Sequence, residues 1–428
     1  MIASAVLGLV RVARSRSAFR AATLATGTAM AQVIVVGSAP FLTRMYGPSA
    51  FGLYAVISSI TIVLAVLGAL GLPAAMIVAP NDSDSDALGL VALWAAAVVG
   101  ALCLVSVAVS DEWLARQLHI GMDPELLYLV GPLVFLTVGV QVGRSSFSRR
   151  GLFTPLAALT AVTAAVTVAG QLLGGAIRSS DTTFALASGF GIAFSAAALL
   201  ALRRGRWPSP GVPHRRSLVE LVAPHKRFMY FRMPQELLVT VSQNLPQLLL
   251  GSLFAPNSAG YYVLAQRALQ APSSLIAGAV GDVFYPRVTL GARRGEPVFK
   301  LMMQATGILI LIGLVPFGCV IALGPQLFDF AFGSRWILAG RCAQWLAVWL
   351  FCSFINAPSV RAIPVLGLQG AHLLIEVVST AARISSLPLV AALRPGHLLL
   401  GVAIFSCVSG LHSLLLVGYV MASARRRA

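Results

Sequence analysis

Stretches of roughly 20 mainly apolar residues, the length that crosses a bilayer as a helix, recur about a dozen times along the chain. No other feature constrains the fold of these 428 residues as strongly. Composition agrees: 58% of the residues are hydrophobic and only 11% are charged, against about 25% charged in ordinary soluble domains. Six spans fall within 22–202 and six within 235–422. The fold class expected is an all-α polytopic membrane protein with about 12 transmembrane helices. Prolines inside spans are tolerated in membranes and predict kinks or breaks, here at Pro73, Pro246, Pro272 and Pro316.

The chain also repeats itself. Tyr46-Gly47-Pro48-Ser49-Ala50-Phe51-Gly52-Leu53-Tyr54 returns 208 residues later as Phe254-Ala255-Pro256-Asn257-Ser258-Ala259-Gly260-Tyr261-Tyr262. Pro48, Gly52 and Tyr54 meet Pro256, Gly260 and Tyr262, and each copy joins two long apolar stretches. A duplicated half in a membrane chain points to a transporter. Six spans, an even number, separate the copies, so the halves are parallel repeats. The expected organisation is a six-helix lobe over 1–202, a cytoplasmic linker with an interfacial helix over 203–233, and a second six-helix lobe over 234–428. Residues Arg203–Arg216 read as linker, and Ser217–Arg232 as a short helix on the membrane surface.

The net charge is +17 and arises almost wholly from arginine. The arginines sit in short connectors with no aromatic interleaving, which argues against nucleic acid. With a cytoplasmic N-terminus, 23 of the 31 basic residues fall in inside connectors and seven outside or in outer span ends. That bias supports both termini being cytoplasmic. The acidic turn Asn81–Asp86 is the exception on the inner side. The apolar stretch Ile2–Val10 precedes its arginines, opposite to a signal peptide, and reads as a lead-in to the first span. The five cysteines lie in or beside apolar runs without metal-ligand or disulfide spacing and read as packing residues. No metal site, phosphate-binding loop or nucleophile elbow is found, so no metal, cofactor or catalytic residue is expected.

An ionisable residue in a span normally faces an interior cavity. Glu236, Thr240, Gln243, Asn244 and Gln247 recur at steps of three and four, which places them on one helix face. At the 208-residue offset, Glu236 and Thr240 correspond to Thr28 and Gln32. Thr28, Gln32, Thr240, Gln243, Asn244 and Gln247 are candidate cavity-wall residues; contact between packed helices is the plainer alternative. Arg267 lies in the eighth span, flanked by Gln266 and Gln270, and Arg44 ends the first. An interfacial arginine is the alternative reading for both. Glu376 and Arg383 share one face of the eleventh span, about 10 Å apart along the axis at 1.5 Å per residue. That separation reads as too long for a direct pair without help from other helices. His372 and His412 stand alone on apolar helices and read as packing residues.

Residues His225–Pro286 resemble the second-half signature of the Wzx-type polysaccharide (O-antigen) flippases. These belong to the multidrug/oligosaccharidyl-lipid/polysaccharide (MOP) exporter superfamily. The pieces are Ser242-Gln243-Asn244-Leu245-Pro246, Asn257–Tyr262, Leu264-Ala265-Gln266-Arg267 and Val283-Phe284-Tyr285-Pro286. The first half agrees in Leu42-Thr43-Arg44-Met45-Tyr46-Gly47-Pro48 and Phe51-Gly52-Leu53-Tyr54. Asp282 departs from the amide expected there. The resemblance implies two six-helix lobes around a central cavity in a bacterial inner or plasma membrane. It implies flipping of an undecaprenyl-diphosphate-linked oligosaccharide, by alternating access, for cell-surface polysaccharides such as lipopolysaccharide. Arginine binds phosphate oxygens bidentately, so Arg267, Arg44 and Arg383 are the candidate diphosphate contacts, with Gln270 joining the sugar-binding wall. Glu236 and Glu376, as intramembrane carboxylates, are candidates for H⁺ or Na⁺ coupling. The expected partners are the lipid-linked oligosaccharide and membrane lipids, with a polysaccharide polymerase or chain-length regulator as a candidate protein partner. The rival functions are a cation-coupled drug exporter of the same superfamily and a membrane polymerase or ligase. The latter should carry a large outer loop, and none is expected here.

Overall fold

The computed structural model describes residues 16–117, 124–203, 223–226, 228–255, 257–293, 298–363 and 365–426. Most of the N-terminal lead-in and most of the linker expected over 203–233 lie outside the described residues. So does the side chain of Asp282. No strand occurs among the described residues. The α-helices are α1 (Arg16–Met45), α2 (Pro48–Ala69), α3 (Leu72–Val78), α4 (Asp82–Gln117), α5 (Val130–Arg149), α6 (Phe153–Ile177) and α7 (Asp181–Arg203). They continue as α8 (Met233–Leu253), α9 (Ser258–Arg293), α10 (Val298–Phe332), α11 (Ile337–Ala362), α12 (Gln369–Leu393) and α13 (Leu398–Arg426).

Ten of these segments are long and apolar enough to cross a membrane. They comprise α1, α2, α4, α5, α6 and α7, then α10 to α13. Helices α8 and α9 make up six long helices in the second half. Gln235, Glu236, Gln243, Asn244 and Gln247 lower the hydropathy of α8, and Gln266, Arg267 and Gln270 interrupt α9. Large apolar side chains point outward along the helices, with Trp94 73%, Leu311 74% and Phe330 89% exposed, as lipid-facing surfaces require. The protein is an all-α, multi-pass membrane protein.

The chain forms two compact units, Met1–Leu248 and Leu249–Ala428. In the first, the apolar run over 52–79 is two helices rather than one. The chain turns at Leu70 and Gly71, both left-handed (φ 53° and 69°), and Pro73 starts α3. A Cβ on Gly71 would stand 2.8 Å from the Phe228 carbonyl oxygen, so glycine serves both the turn and the close approach. The last carbonyls of a helix have no partner within it. At the end of α3, Arg149 Nη1 donates to the Met76 and Ala79 oxygens at 3.1 and 2.7 Å, while its Nε pairs with Asp82 at 2.8 Å. Arg150 pairs with Asp86 at 3.5 Å. The acidic turn is thus held by the two arginines that end α5. Beneath it Leu72, Met76, Leu88, Ala92, Ala96, Val138 and Val142 form a buried core. Phe228 and Met229 pack on that core, while Tyr230 and Phe231 stay exposed. Ala223–His225 form a 3₁₀ turn, and Phe228–Arg232 a single π turn that leads directly into α8.

In the second unit the non-helical residue of α10 is Leu323 (φ −121°), beside Pro325 and not at Pro316. Pro325 has no N–H for the Ile321 carbonyl. The side chain of Gln344 on α11 replaces it, its Nε2 donating to the Ile321 oxygen at 2.8 Å. One residue from this proline, α10 meets α11 backbone to backbone. A Cβ on Gly340 would lie 2.5 Å from the Gly324 oxygen. The bend belongs where the helices touch.

The repeated turn has the same use in both units. The Tyr46 hydroxyl donates to the Gln171 carbonyl at 2.7 Å, and Phe184 of α7 gathers the rings of Tyr46, Phe51 and Tyr54 at 4.9, 4.8 and 5.8 Å. In the second unit Tyr262, fully buried, meets Phe405 of α13 edge-on at 6.3 Å. Each copy sets the tyrosine of its Gly-x-Tyr against the sixth long helix of its own half.

Candidate functional site

Among the described residues, a buried charged constellation lies on α12 and α13. The Arg383 Nη2 donates to Glu376 Oε1 at 2.7 Å and to Thr380 Oγ1 at 3.1 Å, and its Nε to the Ser379 carbonyl at 3.2 Å. The other carboxylate oxygen of Glu376 takes His412 Nε2 of α13 at 3.2 Å. The side chains of Arg383, His412 and Glu376 are 8%, 9% and 17% exposed. Here the structure corrects the distance argument from sequence. Helical side chains lean toward the N-terminus, so Arg383 reaches back along α12 and closes the two-turn gap to Glu376. It also corrects His412, which is no packing residue but a partner of Glu376. Only the shared helix face of Glu376 and Arg383 could have signalled the cluster. The position of His412 depends on how α13 packs against α12, which no local pattern encodes.

The other sequence candidates are more dispersed. Arg44 is exposed at the end of α1. Arg267 is half-buried on α9 between buried Gln266 and exposed Gln270. Glu236 sits in the first turn of α8 and is 3.9 Å from Arg232, with both side chains about half exposed. On α8, Asn244 Nδ2 donates to the Thr240 carbonyl at 2.9 Å, and Gln247 accepts from Ser59 of α2 at 3.3 Å. Gln243 is exposed. On α1 the Thr28 hydroxyl turns back to the Leu24 carbonyl at 3.0 Å, while Gln32 Oε1 is buried with no hydrogen-bond partner. The structure therefore joins Glu376 and Arg383. A cavity of about 330 Å³ opens in the first unit among α2, α5, α6 and α7. Tyr54, Thr61, Thr137, Arg144 and Thr163 are among its lining residues.

Comparison with known proteins places this architecture. Residues 41–339 match the sequence profile of the polysaccharide biosynthesis protein family. The chain belongs to the polysaccharide biosynthesis protein family. One curated relative, the succinoglycan biosynthesis transport protein ExoT of Rhizobium meliloti (strain 1021), is 25% identical over 319 residues, which is 73% of this chain. The match spans 61% of that relative's length. Among solved structures, the lipid II flippase MurJ in an inward closed conformation superposes with a TM-score of 0.73 over 92% of this chain and 86% of MurJ, at 11% identity. A multidrug resistance MATE transporter of the MOP superfamily, in an inward-facing conformation, gives 0.64 over 94% and 95% of the two chains, at 13% identity. A MOP superfamily transporter from Pyrococcus furiosus gives 0.61 over 95% and 96%, at 12%. At these identities the likeness is one of fold: this member of the polysaccharide biosynthesis protein family has the fold of the MOP transporters.

Proposed function

We propose that the protein flips an undecaprenyl-diphosphate-linked oligosaccharide repeat unit from the cytoplasmic to the outer leaflet of the membrane by alternating access. The product supplies cell-surface polysaccharide assembly, and transport rather than catalysis is the protein's contribution. One observation carries the reading: a polysaccharide-biosynthesis sequence profile over residues 41–339 lies on a multi-pass fold shared with a lipid flippase. The transport function of the succinoglycan relative supports it.

The chemistry of the task sets the roles. A diphosphate headgroup is anionic and hydrocarbon excludes it. Guanidinium groups offset its desolvation through paired hydrogen bonds. Arg267 and Arg44 are assigned that role. Arg383, whose guanidinium already serves Glu376 and Thr380, is assigned to the charge cluster instead. The amides and hydroxyls of Thr28, Gln32, Thr240, Gln243, Asn244, Gln247 and Gln270 are assigned to sugar contacts. Of the two carboxylates, Glu376 is the stronger coupling candidate, because Glu236 lies at an exposed helix end.

The test is genetic and chemical. Cells lacking the protein should accumulate diphosphate-linked repeat units on the inner leaflet, and the wild-type chain should restore surface polymer. Arg267→Ala should insert normally and lower surface polymer at least tenfold, since lost charge-assisted bonds cost about 1.5–3 kcal/mol each. Near-normal polymer in that variant refutes the role of Arg267. Unpolymerised units on the outer leaflet of deletion cells would instead indicate a polymerase or ligase.

A further inference from the structure

The charge cluster of the second unit has a composition that speaks to which ion it handles. We infer that His412, held by Glu376 and Arg383, is a proton-binding site through which the transport cycle is linked to proton movement rather than to Na⁺. The inference rests on the transport reading above and names the ion for it.

Three observations carry it. First, both carboxylate oxygens of Glu376 are engaged by cationic or N–H groups, Oε1 by Arg383 at 2.7 Å and Oε2 by His412 at 3.2 Å. A hard cation such as Na⁺ needs several oxygen ligands, and this carboxylate presents its oxygens to nitrogen instead. Second, His412 has one ring nitrogen committed and one open. Nε2 faces Glu376, while Nδ1 is buried without a hydrogen-bond partner. With Nε2–H donating to the carboxylate, Nδ1 is a lone-pair base; a proton from hydronium adds there, forming one N–H bond, breaking one O–H bond and leaving a neutral water. Third, α13 and the helix packed against it, α11, carry further unpartnered polar atoms. The Ser406 and Ser409 hydroxyls on α13, and Asn356 Oδ1 and Ser359 Oγ on α11, are also buried without a partner. Unpartnered polar atoms are costly inside a membrane. Such sites are commonly satisfied by ordered water, which can also carry a proton.

The charge balance supplies the coupling. With His412 neutral, Glu376 and Arg383 cancel. Protonation leaves the cluster with one net positive charge in a low-dielectric lobe, where an unbalanced charge is unfavourable. A conformation that hydrates the cluster is then favoured, and any substrate preferring that conformation is coupled to the proton. Among the described residues, His372 on α12 is within electrostatic reach of Glu376 and His412, and Tyr262 of α9 is within reach of Arg383.

Histidine is the side chain whose unperturbed charge change falls between about pH 5 and 8. The test uses the full-length protein, ¹⁵N-labelled at histidine and held in lipid nanodiscs. Imidazole nitrogen shifts are followed against pH, with the His412 signals assigned by their loss in His412→Gln. A pH-dependent change in the His412 nitrogen shifts, altered by Glu376→Gln and unchanged when Na⁺ is replaced by choline, is the expected result. An untitrated His412, a titration confined to His372, or a midpoint that moves with Na⁺ overturns it. In cells, His412→Gln should lower surface polymer about tenfold, a typical coupling factor, while His372→Gln should not. Normal polymer with His412→Gln overturns the coupling alone. If Arg267→Ala still blocks display in that case, the transport reading stands without it.

Discussion

Three side chains in the second unit show how far residue identities can be read without a structure. Glu376 and Arg383 were visible as charged residues on one helix face. Their pairing was not, because rise per residue measures backbone and not the reach of a guanidinium. Removing one member of a buried ion pair leaves the other charge uncompensated, which costs about 3–5 kcal/mol, whereas replacing both with apolar groups is often near neutral. Glu376→Leu should therefore destabilise the protein by that amount. The double variant Glu376→Leu, Arg383→Leu should recover most of it. Thermal unfolding in detergent, followed by fluorescence-detected size exclusion, measures both. A double variant as unstable as the sum of the single ones would show that the two residues do not act as a pair. The same logic explains Gln344, which reads as an ordinary glutamine until the Pro325 gap at the Ile321 carbonyl is seen.

At the scale of elements, the apolar spans, the repeated turn and the break near Pro73 were legible, because each has a local cause. An apolar run of fixed length, a duplicated motif and a proline after glycine act wherever they occur. Helix pairing was not legible, because it depends on which glycines face each other. The chain has 39 glycines, any of which could host a close crossing in principle, and only the structure shows that Gly324 meets Gly340. Gly340→Ala places a methyl 2.5 Å from a backbone oxygen and 2.7 Å from Pro325 Cα, neither of which can rotate away. Overpacking of this kind costs about 1–3 kcal/mol. Gly318→Ala on α10 meets nothing within 4 Å, and it should be neutral or stabilising because alanine favours the helix by about 1 kcal/mol. Equal effects of the two substitutions on unfolding temperature would remove the α10–α11 crossing as the reason for glycine at 340.

For the whole molecule, duplication and charge make a joint claim that neither makes alone. The repeated turns dock against α7 in one half and α13 in the other, so corresponding helices of the two halves do corresponding work. Parallel repeats then require the α1–α2 and α8–α9 corners to face the same side of the membrane. We propose, from the arginine bias, that this side is the outer one. The acidic turn at Asn81–Asp86 does not weaken this, because acids contribute little to orientation and Arg149 and Arg150 pair with it. Periplasmic-reporter fusions check the claim directly. Alkaline phosphatase joined after Ser180, in the α6–α7 turn, should be active, whereas fusions after Gly151 and after Ala428 should be inactive. An active fusion after Ala428 together with an inactive one after Ser180 would invert the protein. The paired corners would then open toward the cytoplasm, and the direction assigned to transport would have to be reversed.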